Sequence, residues 1–100
     1  MPATLDTFKK DYAKAWAAYE QLRNACDQAG PLDGKTRELI KIGISVALEH
    51  SGGLVAHISQ AKKAGAQPPE IYQAILLATG LAGFPAVLGA MTTAKKYLKP

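Results

Sequence analysis

Apolar residues recur along this chain at spacings of three and four, and nowhere do they alternate at period two. That pattern predicts helices throughout and no strands. A first helix is expected from Thr4 to Ala29, with Phe8, Tyr12, Ala15, Tyr19, Leu22 and Cys26 on one face and Trp16 at its edge. Thr4 or Asp6 can cap its start, and Gly30-Pro31 ends it. A second helix starts at Asp33, placed as N-cap or turn residue, and runs to His50–Gly52. Two apolar rows line it: Leu39, Ile42 and Val46, and beside them Ile40, Gly43 and Ala47. Ser51 is the expected N-cap of a third helix from about Gly53 or Leu54 to Ala64, which Gly65 stops. Pro68 or Pro69 opens a fourth helix with Glu70 in its first turn, ending near Gly80. A fifth runs from about Pro85 to Leu98.

The expected fold is therefore all-α: a bundle of about five helices in a single domain over residues 1–100, with 1–30 as an N-terminal helix and 31–100 as the core. Helix two, a tight Ser-Gly-Gly turn and helix three make its central hairpin. Ile71 to Ala94 holds no charged residue. Its length raises the question of a membrane span, but Gly80, Gly83 and Pro85 interrupt it, and Gln73, Thr79, Thr92 and Thr93 dilute it. Two buried helices joined by a turn fit better, placed at the centre of the fold or in a subunit interface. No membrane partner is expected.

Charge changes the picture little. The net charge is +4, from twelve basic and eight acidic residues. Lys9, Lys10 and Lys14, then Lys62 and Lys63, then Lys95, Lys96 and Lys99 are spread over three helices and suit helix C-termini, where cations complement the dipole. A nucleic-acid partner would call for a denser stripe with interleaved aromatics, so none is expected. Cys26 is the only cysteine; an intrachain disulfide and a Cys-x-x-Cys motif are both excluded. It reads as a small apolar filler of helix one. The opening residues lack the apolar core of a signal peptide, which makes a cytoplasmic location the expectation.

Candidate chemistry gathers at the hairpin. "EHSGGLVAH", Glu49 to His57, contains both histidines. Glu38 and His50 lie twelve residues apart, about 18 Å along one helix, and cannot meet on it. If helix three folds back beside helix two, however, His57 returns towards Glu38. A carboxylate beside an imidazole orients one ring nitrogen and raises the basicity of the other, which suits acid–base work near neutral pH. The same pair could equally be a salt bridge that fixes the hairpin. His50 and His57 with Glu38 or Glu49 supply enough donors for a metal in principle. Their spacing matches no zinc motif, and about 10 Å would separate the rings on an unbroken helix, so no metal or other cofactor is expected. Gly52 and Gly53 could let an anion approach the start of helix three; a tight turn explains them as well.

Pro31 to Tyr97 resembles the carboxymuconolactone decarboxylase and alkylhydroperoxidase D superfamily. The resemblance rests on Leu-Asp-x-Lys-x-Arg-Glu-Leu at 32–39, His57, Ala61 and Gly65 in His-x-x-x-Ala-x-x-x-Gly, the following Pro-x-Glu-Ile, and Gly-x-Pro before the last helix. Redox-active members carry a glutamate, eleven residues, Cys-x-x-Cys, three residues and a histidine. This chain matches that spacing with Glu38 and His57, but the cysteine positions hold His50 and Gly53, and a peroxidase histidine position holds Gly52. Thiol peroxidase chemistry needs an attacking thiolate and a resolving thiol and is therefore not expected. The decarboxylase members imply cofactor-free acid–base chemistry on a small carboxylated lactone, a lyase or isomerase reaction. Glu38, His57 and His50 become the candidate acid–base set, with Arg37, Gly52 and Gly53 as weaker ligand-binding candidates. A non-catalytic, oligomeric binding or structural member, or a metal site at His50 and His57, are the alternatives. The resemblance also implies a homo-oligomer, a trimer or a hexamer of paired trimers.

Overall fold

A computed structural model describes residues 2–98, and the side chains of residues 4–98. Lys99, one of the expected helix-end cations, lies outside the described residues. Among the described residues every regular element is helical: α1 Pro2–Asp11, α2 Ala13–Asp27, α3 Gly34–Ala47, α4 Ser51–Lys63, α5 Pro68–Leu76, α6 Thr79–Ala82 and α7 Phe84–Tyr97. The excess over five has two sources. The first expected helix is interrupted at Tyr12, whose φ of −130° and ψ of 54° leave the helical region; no glycine or proline marks the break. The fourth ends at Leu76, and Thr79–Ala82 form the separate turn α6. No described helix is long and apolar enough to cross a membrane.

The chain divides into two compact units, 1–31 and 32–100. In the first unit, Phe8 and Tyr12 stack at 5.5 Å and Trp16 and Tyr19 at 5.4 Å between ring centroids. Lys9 stands over the Trp16 ring at 4.9 Å, a geometry for cation–π attraction. No residue of α2 is buried. Cys26 is exposed and so does not fill a core as the sequence suggested.

The second unit holds the core. Asp33 does cap α3: its Oδ1 accepts from Thr36 N–H at 2.8 Å. That hydrogen bond, with help from Lys35 and Arg37, holds the Asp33 carboxyl below its usual range. A depressed folded-state value means stability that is present above the unfolded value and lost as pH falls through the folded one. Ile42 and Val46 of α3 meet Leu54 and Ile58 of α4, and Ile71 and Ile75 of α5 join them, all at most 3% exposed. Val87 and Ala94 of α7 close the cluster. The uncharged stretch thus supplies half of this core, as expected. Its other residues face outward: Leu77 is 71% and Leu81 92% exposed. Lysines occupy the last turns of α1, α4 and α7, where they complement the dipole.

Both ends of α4 are chemically explicit. At its C-terminus, Ala66 N–H reaches Ala61 O and Gly65 N–H reaches Lys62 O, a Schellman closure with Gly65 at φ +98° and buried Ala61 and Ala66 beside each other. At its N-terminus the cap is not Ser51. His50 takes that position, and its Nδ1 accepts from Gly53 N–H at 2.8 Å. The glycines do not form the turn either. The turn is Leu48-Glu49-His50, and Gly52 and Gly53 lie in the first turn of α4. A β-carbon at Gly53 would overlap Nδ1 of His50, so the histidine cap requires glycine at position 53.

Candidate functional site

The hairpin of α3 and α4 brings Glu38 and His57 together. His57 Nδ1 and Glu38 Oε1 are 2.8 Å apart. A carboxylate only accepts, so the ring nitrogen carries the hydrogen and donates it. The other carboxylate oxygen, Oε2, lies 3.6 Å from Lys41 Nζ, one helical turn further along α3. Glu38 thus sits between an imidazole and an ammonium. Its side chain is 15% exposed and that of His57 30%, so the pair is shielded yet open to solvent on the histidine side. With Nδ1 committed to Glu38, Nε2 is the nitrogen left for chemistry. This is the geometry of an oriented base.

His50 does not join this pair. It lines a separate cavity of about 210 Å³ between the hairpin turn and α7, and neither Glu38 nor His57 belongs to that lining. Gly52 and Gly53 are backbone of the first α4 turn, and Gly53 N–H is already taken by His50. Arg37 uses its guanidinium at the base of the hairpin, where Nη1 donates to Leu32 O at 2.7 Å. Among the described residues no group of three or more His, Cys, Asp or Glu side chains is placed to hold a metal ion. Lys41, which flanks Glu38 in the sequence, is placed by the structure as its ion-pair partner. Its three-residue spacing from Glu38 puts it on the same helix face, and that signal was available.

A helical hairpin thus sets a largely shielded carboxylate against an imidazole from the facing helix, beside an i, i+3 lysine, in an all-α protein. Residues 10–96 match the carboxymuconolactone decarboxylase family, and the chain belongs to that family. A crystal structure of a carboxymuconolactone decarboxylase family protein from Legionella pneumophila is similar in fold. Its TM-score is 0.85 at 25% identity, covering 96% of this chain and 86% of the other. No curated protein matches the sequence. The family match begins upstream of Pro31, where the sequence resemblance was placed, and so takes in α2.

His50 and Gly53, at the two positions where the redox-active pattern has cysteine, are joined here by a hydrogen bond. Imidazole and glycine cannot pass through a sulfenic acid. Peroxide consumption with a thiol reductant is therefore expected to stay at the level of heat-denatured protein. Turnover above that level would place redox chemistry at Cys26, the only thiol.

Proposed function

We propose that this protein carries out cofactor-free proton transfer on a small carboxylated metabolite, with His57 Nε2 as the base and Glu38 as the group that orients and charges it. The 2.8 Å contact between His57 and Glu38 carries this reading. A base of this kind removes a proton next to a carbonyl or lactone, and the imidazolium that results is stabilised by the carboxylate behind it. Lys41, beside Glu38 Oε2 and partly exposed, is the candidate to meet the carboxylate of such a substrate. His50, assigned from sequence to the acid role, stands in its own cavity and is not part of this base.

The test is a thermal-shift screen of small carboxylated lactones against wild type and His57→Ala, followed by solvent deuterium exchange into any compound that binds. The expected result is a ligand that stabilises only the wild type and exchanges a carbon-bound proton only in its presence. A ligand that stabilises both forms equally and exchanges with neither would favour the binding-only member of the family.

We also propose that the protein is a homo-oligomer built on the outer face of α3, α5 and α6. A groove of about 460 Å³ runs there, its lining including Ile40, Ile44, Leu77 and Leu81, all among the exposed large apolar residues. Contiguous apolar surface of this kind marks an interface, and a trimer or hexamer would cover it. In sedimentation velocity, wild type is expected above monomer mass and Ile44→Glu closer to it. A monomeric wild type would overturn the proposal.

A further inference from the structure

The two histidines are held in opposite chemical states by their partners. His57 Nδ1 gives a hydrogen to a carboxylate. His50 Nδ1 receives one from a backbone amide. A backbone N–H can only donate, so His50 Nδ1 must be unprotonated, and a neutral ring then carries its hydrogen on Nε2. At His57 the free nitrogen is an acceptor. At His50 it is a donor.

His50 also borders a recess that is open to solvent. His50 lines the cavity of about 210 Å³ together with Glu49, Ser51 and Thr93, above apolar walls that include Val46 and Leu54. Glu49 is unusual in its own right. It is the one described residue other than glycine with positive φ, at +52°. Glu49 N–H reaches Val46 O and His50 N–H reaches Ser45 O, the same Schellman closure that ends α4. There the chain uses Gly65 at the left-handed position. Here it keeps a glutamate where glycine would be easier, and Glu49 is among the residues that line the cavity.

We infer that this cavity binds a small neutral molecule carrying a carbonyl and a hydroxyl or amide N–H. His50 Nε2–H donates to the carbonyl, and Glu49 accepts from the hydroxyl or amide. The apolar walls take the carbon frame, and the hydroxyls of Ser51 and Thr93 can serve either partner. A carboxylate in the same place meets the charge of Glu49 and is disfavoured. This selectivity is the reverse of that proposed for the Glu38–His57 pair, and the site does not depend on that proposal.

The probe is 3-hydroxybenzamide, with 3-hydroxybenzoate as its anionic counterpart, followed by amide NMR on the full chain. A ligand of about ten non-hydrogen atoms in an open recess is expected to bind in about the millimolar range. The amide is expected to give saturable shifts confined to residues 49–54 and 85–93, and the benzoate to bind at least about tenfold more weakly. His50→Asp keeps an acceptor for Gly53 N–H and so keeps the cap, but removes the Nε2–H donor. It should bind the amide at least tenfold more weakly. His57→Ala should bind it as wild type does. Ring nitrogen spectra at neutral pH should show His50 protonated at Nε2 alone. No saturable shift in the wild type, equal binding by His50→Asp, preference for the benzoate, or a His50 ring protonated at Nδ1 would each overturn the inference.

Discussion

Glu38→Ala is expected to destabilise the protein more than His57→Ala. The carboxylate joins two partners, His57 at 2.8 Å and Lys41 at 3.6 Å, in a setting where it is only 15% exposed. Hydrogen bonds to charged groups contribute about 1.5–3 kcal/mol, and a donor left without its acceptor adds its own desolvation cost. Removing Glu38 leaves the His57 N–H facing a void and Lys41 without that counter-charge. Removing His57, by contrast, leaves Glu38 with Lys41. We expect a loss of about 2–3 kcal/mol for Glu38→Ala and about 1–2 kcal/mol for His57→Ala, measured by urea unfolding. The double variant should lose less than the sum of the two by about 1 kcal/mol, the signature of direct contact. Glu38→Gln should recover part of the stability by keeping an oxygen for the imidazole. If the two losses add without coupling, the contact contributes nothing in solution and the oriented-base reading loses its support.

The contrast between these variants also separates structure from chemistry. A salt bridge that merely fixes the hairpin would let Glu38→Gln pass for wild type in every functional assay. An oriented base would not, because the amide no longer stabilises the imidazolium formed during proton transfer.

Much of this was legible before any coordinates. The helical periodicity placed Ile42 and Val46 on one apolar row of α3, and both are buried. The spacing of Glu38 and His57 around a turn implied their meeting, since a hairpin returns the second helix alongside the first. Tyr12 was not legible, because nothing in the residues around it breaks a helix. The exposed leucines of α5 and α6 were not separable from the buried ones, because an uncharged stretch carries no polar face to orient it. The position of His50 was misread for a different reason. Histidine is an uncommon cap, and Ser51 beside it is a common one, so propensity pointed one residue too far. Only the geometry of the Gly53 amide settles which side chain caps α4.

That geometry gives two adjacent glycines opposite expected behaviour. Both lie in the first turn of α4, where alanine is favoured over glycine by up to about 1 kcal/mol. A β-carbon on Gly52 would stand 4.0 Å from Cε1 of His50, an ordinary contact. Gly52→Ala should therefore be neutral or stabilising. A β-carbon on Gly53 would overlap Nδ1 of His50 and come within 3.3 Å of Ser45 Oγ. Gly53→Ala must push the imidazole off its amide, and losing an N-cap costs about 1 kcal/mol, up to 2. Ser45 is itself 7% exposed, so the crowding on that side cannot be relieved by moving into solvent. We expect Gly53→Ala to lower stability by about 1–2 kcal/mol net, and His50→Ala to lower it by about 1 kcal/mol. In the His50→Ala background the ring that Gly53→Ala displaces is already gone. The same substitution should then cost less than 0.5 kcal/mol, or stabilise α4 outright. Urea unfolding of the four proteins decides the matter. If Gly53→Ala is as harmful without the His50 ring as with it, the cost comes from the backbone or from Ser45, and the histidine cap does not explain why glycine stands at position 53.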